Sequence, residues 1–283
     1  MVLYIIIKSI ILIIFYQLYK YTCRRKSNHP NYYFKHKKPI IEAHRGINRE
    51  LFQNTLPSIA LALENNIKSI EIDVWLSKDL IPVLHHGNLI GSLRGYYNTI
   101  ASVTTLTWDE LSKLKSIRQN LHIARLDEVL ELLKGKSLLN LEIKDPRINL
   151  MFPIIMEYIE KYDYFDQIVI SSFYHKYYNK ILRFNRINKK NLNFGFLYLE
   201  NYSSPYDYNH PGNGLNIYWT NATKKVCDRA HKNGMYVLVW FYMYENENET
   251  VYRRLIENGV DVICSNEPAK AKKYVNYYYY RYG

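Results

Sequence analysis

The chain opens on one long apolar run and then settles into a regular alternation. Residues 2–22 are apolar except for Lys8, Ser9, Gln17 and Lys20. From residue 39 onward, short runs rich in Ile, Val and Leu alternate with amphipathic stretches. The short runs read as strands at 39–43, 69–76, 81–85, 137–143, 167–172, 192–199, 215–219, 236–241 and 260–265. The longer stretches read as helices at 56–65, 108–114, 126–134, 152–161, 176–184, 223–233 and 249–258. Gly234 and Gly259 follow two of these helices, as C-terminal stops do. Repeated strand–helix units imply an α/β fold, a parallel sheet covered on its faces. A TIM-type (β/α)8 barrel fits the length. Nine strand candidates exceed an eight-fold barrel by one. The run at 81–85 follows that at 69–76 through Lys78-Asp79-Leu80 with no helix between, and reads as a small hairpin insertion.

At 1.5 Å per residue the first apolar run gives about 30 Å of helix, enough to cross a bilayer. A cleaved signal peptide would want a small-residue cleavage site, which Tyr19-Lys20-Tyr21-Thr22-Cys23 lacks. One uncleaved N-terminal transmembrane helix is therefore expected before the barrel. Lys8 and Lys20 sit where long side chains snorkel to an interface. The expected organisation is an anchor at 1–22, a basic linker at 23–38, the barrel at 39–272 and a Tyr-rich tail at 273–283.

Hydrophobic residues make up 48% of the 283, enough for one large core or two modest ones. The net charge of +12 invites a nucleic-acid reading, but its distribution argues against one. Residues 1–38 hold eight basic residues and no acid, which leaves +4 for the rest. A basic cluster beside an apolar span suits anionic lipid headgroups and places the body on the cytoplasmic side. No nucleic-acid motif is present. Cys23, Cys227 and Cys264 are odd in number and far apart, without disulfide or zinc spacing. The 29 tyrosines read as compositional bias.

Candidate chemistry gathers at strand ends. His44-Arg45-Gly46 closes the first strand with a proton carrier, a fixed cation and a flexible glycine, a combination suited to a phosphate ester. Glu71 and Asp73 stand two apart on one strand, so both point to the same face. Glu142 and Lys144 repeat that spacing. Three carboxylates from two strands can hold a hard divalent ion through oxygen. Alternatively, Glu71 and Asp73 face solvent on an edge strand and Glu142 merely pairs with Lys144. His85 and His86 end the 81–85 run and point to opposite faces, so one of them faces the site. Two histidines beside a metal-held phosphate can divide general base and general acid.

The ordered motifs resemble the glycerophosphodiester phosphodiesterase family. They are His44-Arg45-Gly46, Gln53-Asn54-Thr55-Leu56, Glu71-Ile72-Asp73-Val74, Ser77-Lys78-Asp79, Pro82-Val83-Leu84-His85-His86, Arg125-Leu126-Asp127-Glu128-Val129-Leu130 and Leu141-Glu142-Ile143-Lys144. Ser171-Ser172-Phe173, Gly234-Met235-Tyr236-Val237 with Trp240, and the stretch from Gly259 to Pro268 follow. The resemblance implies a barrel with a hairpin insertion and a divalent ion, Mg²⁺ or Ca²⁺. It implies Glu71, Asp73 and Glu142 as metal ligands and His44 and His86 as the acid–base pair. His86 is matched rather than His85 because it lies fifteen residues after Glu71. Arg45 and Lys144 match phosphate-binding cations, and Trp240 matches an aromatic of the pocket wall. The chain departs from the family at Gln53, where Glu is usual, at Gly87, where Asp is usual, and at Ser265-Asn266, where Thr-Asp is usual.

The reading is a membrane-anchored, metal-dependent enzyme cleaving a glycerophosphodiester to glycerol 3-phosphate and an alcohol. The same chemistry on lysophospholipids is the nearest alternative. A membrane-tethered phosphodiester-binding protein without turnover is the other.

Overall fold

The computed structural model describes residues 33, 36–91, 100–117, 119–199 and 206–283. Eight parallel strands close a barrel: β1 Ile40–His44, β2 Ser69–Leu76, β6 Leu138–Ile143, β7 Ile168–Ser172, β8 Asn193–Tyr198, β9 Gly214–Tyr218, β10 Tyr236–Trp240 and β11 Val262–Ser265. Pairing of β1 with both β2 and β11 closes the ring. Around it run α1 Leu56–Glu64, α3 Leu126–Leu133, α4 Ile148–Lys161, α5 Lys176–Asn188, α6 Lys224–Lys232, α7 Glu249–Glu257 and α8 Pro268–Tyr282. The main core lies between the barrel wall and this ring, from Ile70 and Ile72 on β2 to Ile155 and Ile159 on α4.

The ninth predicted strand is accessory, as its missing helix implied. β3 Pro82–Leu84 pairs antiparallel with the end of β2, outside the ring. The insertion is larger than a simple hairpin. It adds the pair β4 Leu89–Ile90 and β5 Ala101–Ser102 and the short helix α2 Trp108–Ser112. Trp75, Val83, Ile90, Val103, Leu111 and Ile123 give it a small core of its own. α4 begins earlier than predicted and carries Pro153 inside it, which masked its first turn as a sequence signal. α8 runs through the Tyr-rich end, where no helix was expected. Its Ala271, Tyr274 and Val275 are buried. The predicted span at 1–22 and most of the linker at 23–38 lie outside the described residues. Among the described residues, no helix is long and apolar enough to cross a membrane.

Side chains two apart along each strand fill the barrel interior in layers. In register, Glu42 lies beside Ser69 and Cys264, and His44 lies beside Glu71. Gly214 is needed here for space, because a Cβ would stand 2.1 Å from the ring of Tyr236. Tyr33, from the linker, plugs the end at which the strands begin. It is 1% exposed and packs edge-on against Tyr236 at 4.9 Å. Its hydroxyl donates to Glu42 Oε2 at 2.6 Å, an oxygen that also accepts from Ser69 at 2.8 Å. Glu42 Oε1 accepts from Asn140 Nδ2 at 3.0 Å. Burial pushes the Glu42 carboxyl up, and these donors act against that shift.

Tyr33→Phe removes one donor from a buried acid and is expected to lower stability by about 1–2 kcal/mol. Urea unfolding of the full chain measures this, and an unchanged midpoint would contradict the plug.

Candidate active site

The site occupies the end of the barrel where the strands finish. Ile40 and Ile41 are strand formers that bring His44 to the rim, and the chain then turns sharply. Arg45 adopts φ 61° and Gly46 φ 80°. The left-handed conformation costs a non-glycine residue roughly 1 kcal/mol. Here Arg45 Nε is paired with Asp73 Oδ2 at 2.8 Å. Gly46 serves both the positive φ and close packing, since a Cβ would stand 2.6 Å from the backbone of Ser58 on α1. Thr55 caps α1, its side chain accepting from the Ser58 amide. That start to the helix fixes the preceding loop, which carries Gln53 and Asn54.

Glu71, Asp73 and Glu142 all face inward and are buried, which removes the solvent-facing alternative. Each offers an oxygen within 4.8 Å of the others. Glu142 also pairs with Lys144 Nζ at 2.5 Å, and the same ammonium lies 3.2 Å from Asp73 Oδ1. Pairing with Lys144 and membership of the acid cluster are therefore both true of Glu142. Asn54 clasps Asp73 twice: its Nδ2 donates to Asp73 Oδ2 at 2.8 Å, and its Oδ1 accepts from the Asp73 amide at 3.1 Å.

Charge within this cluster is unevenly held. Burial, then the Asp73 charge, pushes Glu71 well above the usual carboxylate range. Burial pushes Glu142 up to about 7 against the pull of Lys144. Burial would also raise Asp73, but Arg45 and Lys144 outweigh it and hold that carboxyl down. Burial would lower Lys144, but Asp73 and Glu142 outweigh it and raise the ammonium. Two fixed cations thus satisfy one carboxylate fully and leave the other two short of positive charge. Glu71 Oε1 is buried with no hydrogen-bond partner. Three oxygens this close, with one orphaned, fit a hard divalent ion.

His44 is buried, and its Nε2 lies 4.0 Å from Glu71 Oε2. Its Nδ1 stands 2.8 Å from Asn266 Oδ1. That oxygen also accepts from Asn48 Nδ2 at 2.7 Å, while Asn266 Nδ2 donates to the Tyr242 carbonyl at 2.9 Å. The amide orientation so fixed makes His44 Nδ1 the donor and leaves a lone pair on Nε2. Burial, then the Arg45 charge, lowers His44 well below the ordinary imidazole value. His86 is half-buried and lines the same pocket. His85 turns away, with its Nδ1 against the carbonyl of Gly87. The structure thus separates the adjacent pair, although β3 ends at Leu84 and both histidines lie just beyond it.

The three departures have identifiable consequences. Gln53 Oε1 accepts from Arg45 Nη1 at 2.6 Å, so the neutral side chain still holds the guanidinium. Gly87 offers only its carbonyl, which His85 uses. Asn266 contacts His44, and its amide donates to the buried Glu247 at 2.9 Å. Glu247 gave no signal in sequence, since it lies in the polar loop after β10. Asn54 was visible only as part of a motif.

These groups surround a pocket of about 510 Å³. Asn140, Ser171 and Cys264 form part of its floor, and Phe173, Leu197, Leu199, Trp240 and Met243 are among its apolar lining. Trp240 meets Phe173 edge-on at 6.3 Å, and Lys144 Nζ lies 5.5 Å from the Phe173 ring centre. All eight residues singled out from sequence border this pocket or, for Asp73, pair with two residues that do.

Similarity to known proteins follows the same segment of chain. The profile of the glycerophosphoryl diester phosphodiesterase family matches residues 44–270. A glycerophosphodiester phosphodiesterase of Caldanaerobacter subterraneus subsp. tengcongensis is 28% identical over 244 residues, covering 82% of this chain and 95% of that protein. A crystal structure of a putative glycerophosphodiester phosphodiesterase from Galdieria sulphuraria superposes with a TM-score of 0.74 at 24% identity, covering 85% of this chain and all of that one. An Oleispira antarctica phosphodiesterase, solved in complex with the product sn-glycerol-3-phosphate, gives 0.72 at 23% identity, covering 87% and 99%. With the profile running from the last residue of β1 into α8, the chain belongs to the glycerophosphoryl diester phosphodiesterase family.

Proposed function

We propose that this protein hydrolyses glycerophosphodiesters to glycerol 3-phosphate and an alcohol, using a divalent ion and two histidines. The observation that carries the reading is the meeting of three buried carboxylates with His44 and His86 around one pocket. Glu71, Asp73 and Glu142 would hold the ion, Mg²⁺ or Ca²⁺, through oxygen. When bound, it supplies positive charge that neutralises the phosphate and stabilises charge growing on it. Arg45 and Lys144 add two fixed cations facing the same space, and Trp240 walls the pocket. His44, neutral with its lone pair on Nε2, takes the proton from the nucleophile. His86, half-buried at the rim, gives a proton to the departing alkoxide as its bond to phosphorus breaks. In the overall hydrolysis, water supplies both the oxygen that stays on phosphorus and the proton that leaves with the alcohol.

A second substrate class, lysophospholipids, is favoured by one observation: Phe173, Leu197, Leu199, Trp240 and Met243 are among the residues that line the pocket. The reading without turnover gains nothing from the site, because Gln53 keeps its hold on Arg45. The apolar run at 2–22 and its basic flank support a single-pass anchor with the barrel on the cytoplasmic side.

His44→Ala and His86→Ala are each expected to lower kcat/KM by roughly 10²–10⁴-fold with the fold retained. Full diesterase activity in the double variant would refute the pair. Steady-state rates on glycerophosphocholine and lysophosphatidylcholine separate the substrate classes; the main reading expects the former to be faster. Metal binding should also depend on pH. Glu142 is held at about 7 and Glu71 is raised, so this pair of carboxyls takes up protons more readily than free carboxyls as pH falls through 7. A metal must displace those protons. The thermal shift on adding Mg²⁺ is therefore expected to grow as pH rises through 7 and to shrink below it. A shift independent of pH between 5.5 and 8 would contradict this ligand set.

A further inference from the structure

We infer that Glu247 is a positioning residue for the reaction: it clamps the turn at Ser265-Asn266, and through Asn266 it fixes which ring nitrogen of His44 carries the proton. This deepens the proposed function and rests on its assignment of His44 as the base that takes the proton from the nucleophile.

β1 and β11 are neighbours with Ala43 opposite Ser265, so the next residue of each, His44 and Asn266, meet at the rim. Asn266 is neutral and fully buried, and its amide can turn either an oxygen or an NH2 group toward the imidazole. The oxygen, by accepting from Nδ1, leaves Nε2 free as a base; the NH2 group would favour the other tautomer. Two contacts select the oxygen. Asn48 Nδ2 donates to it at 2.7 Å, and Asn266 Nδ2 donates to the Tyr242 carbonyl at 2.9 Å. That selection holds only while Asn266 stays in place against both.

Glu247 does the holding. It is fully buried, and its Oε1 accepts from the Asn266 backbone amide at 2.9 Å. Its Oε2 accepts from Ser265 Oγ, and from the Tyr252 hydroxyl at 3.1 Å. Ser265 Oγ in turn accepts from the Glu267 amide at 2.9 Å. One carboxyl thus ties down three consecutive residues, 265 to 267. Its own place is set by α7. The next residue, Asn248, caps that helix by accepting from the Val251 amide at 3.1 Å, and Tyr252 contacts Glu247 from the first turn. Glu247 also pins the end of the loop that carries the Tyr242 carbonyl, so both ends of the Asn266 amide are set from one residue. Its three donors are all neutral, so this acid does not balance a buried cation, and an apolar side chain would fill the same space at lower cost. It does not border the pocket, which separates its role from substrate contact.

The test uses the full chain with glycerophosphocholine and Mg²⁺. Glu247→Ala is expected to lower kcat by about tenfold or more while KM stays within about twofold, because positioning is felt in proton transfer rather than in binding. Glu247→Gln should recover most of that loss. Its oxygen accepts from the Asn266 amide, and its NH2 group donates to Ser265 and Tyr252, whose hydroxyls turn to accept. Glu247→Asp keeps the charge but is one methylene too short, and it replaces the Ala variant in every comparison if that variant does not fold. The second readout is the ring ¹H–¹⁵N spectrum of the metal-free chain, with the His44 signals identified by their loss in His44→Ala. Wild type and the Gln variant should show the proton on Nδ1 alone, and the Ala or Asp variant a mixture of tautomers. An unchanged kcat in the folded variant, a loss confined to KM, a Gln variant as impaired as Ala, or a lower kcat with the tautomer unchanged would overturn the inference. Absence of turnover in the wild type would instead overturn the hydrolytic reading, and the tautomer comparison then decides the role of Glu247 by itself.

Discussion

Three carboxylates share one buried space, and nearly everything at the mouth of this barrel answers that constraint. Glu71 and Asp73 are fixed to one face of β2 by the period of a strand, and β6 brings Glu142 into register beside Asp73. Like charges this close repel strongly away from water. Arg45 and Lys144 offset part of the charge, and both converge on Asp73. The asymmetry that results, one carboxyl held low and two pushed high, fits a site that could take one multivalent cation. The left-handed turn at Arg45, the Gln53 contact and the Asn54 clasp all serve to hold that arrangement still.

Beneath the charged rim lies a second polar layer. Asn140 accepts from Ser171 at 2.7 Å and donates to Glu42, so the pocket floor is connected through one buried acid to the Tyr33 plug. The linker residue is thus part of the barrel interior. A chain begun at residue 39 would lack it and leave Glu42 short of a donor.

Much of this was legible in sequence because it rests on short-range rules. Alternation gave the strands, and the absent helix after residue 76 marked the accessory one. The spacing of Glu71 with Asp73, and of Glu142 with Lys144, gave the shared face. Only His86 of the adjacent pair lines the pocket, as expected, though both lie just past the end of β3. What escaped depends on register between distant strands or on loops. Glu42 and His44 are also two apart, and the same rule would have put Glu42 inside the barrel; its partners Tyr33, Ser69 and Asn140 are set only by closure of the ring. Asn266 meets His44 across 222 positions, a contact that no local pattern encodes. α8 was hidden by tyrosines whose abundance elsewhere looked like composition alone.

The central claim is that Glu71, Asp73 and Glu142 together hold one divalent ion. Anomalous diffraction from crystals grown with Mn²⁺ tests it most directly. The account predicts a single strong peak within about 2.0–2.6 Å of an oxygen from each of the three carboxylates, with Lys144 drawn off Glu142. A site without a peak, or a peak bound elsewhere while Lys144 still bridges Asp73 and Glu142, would contradict it.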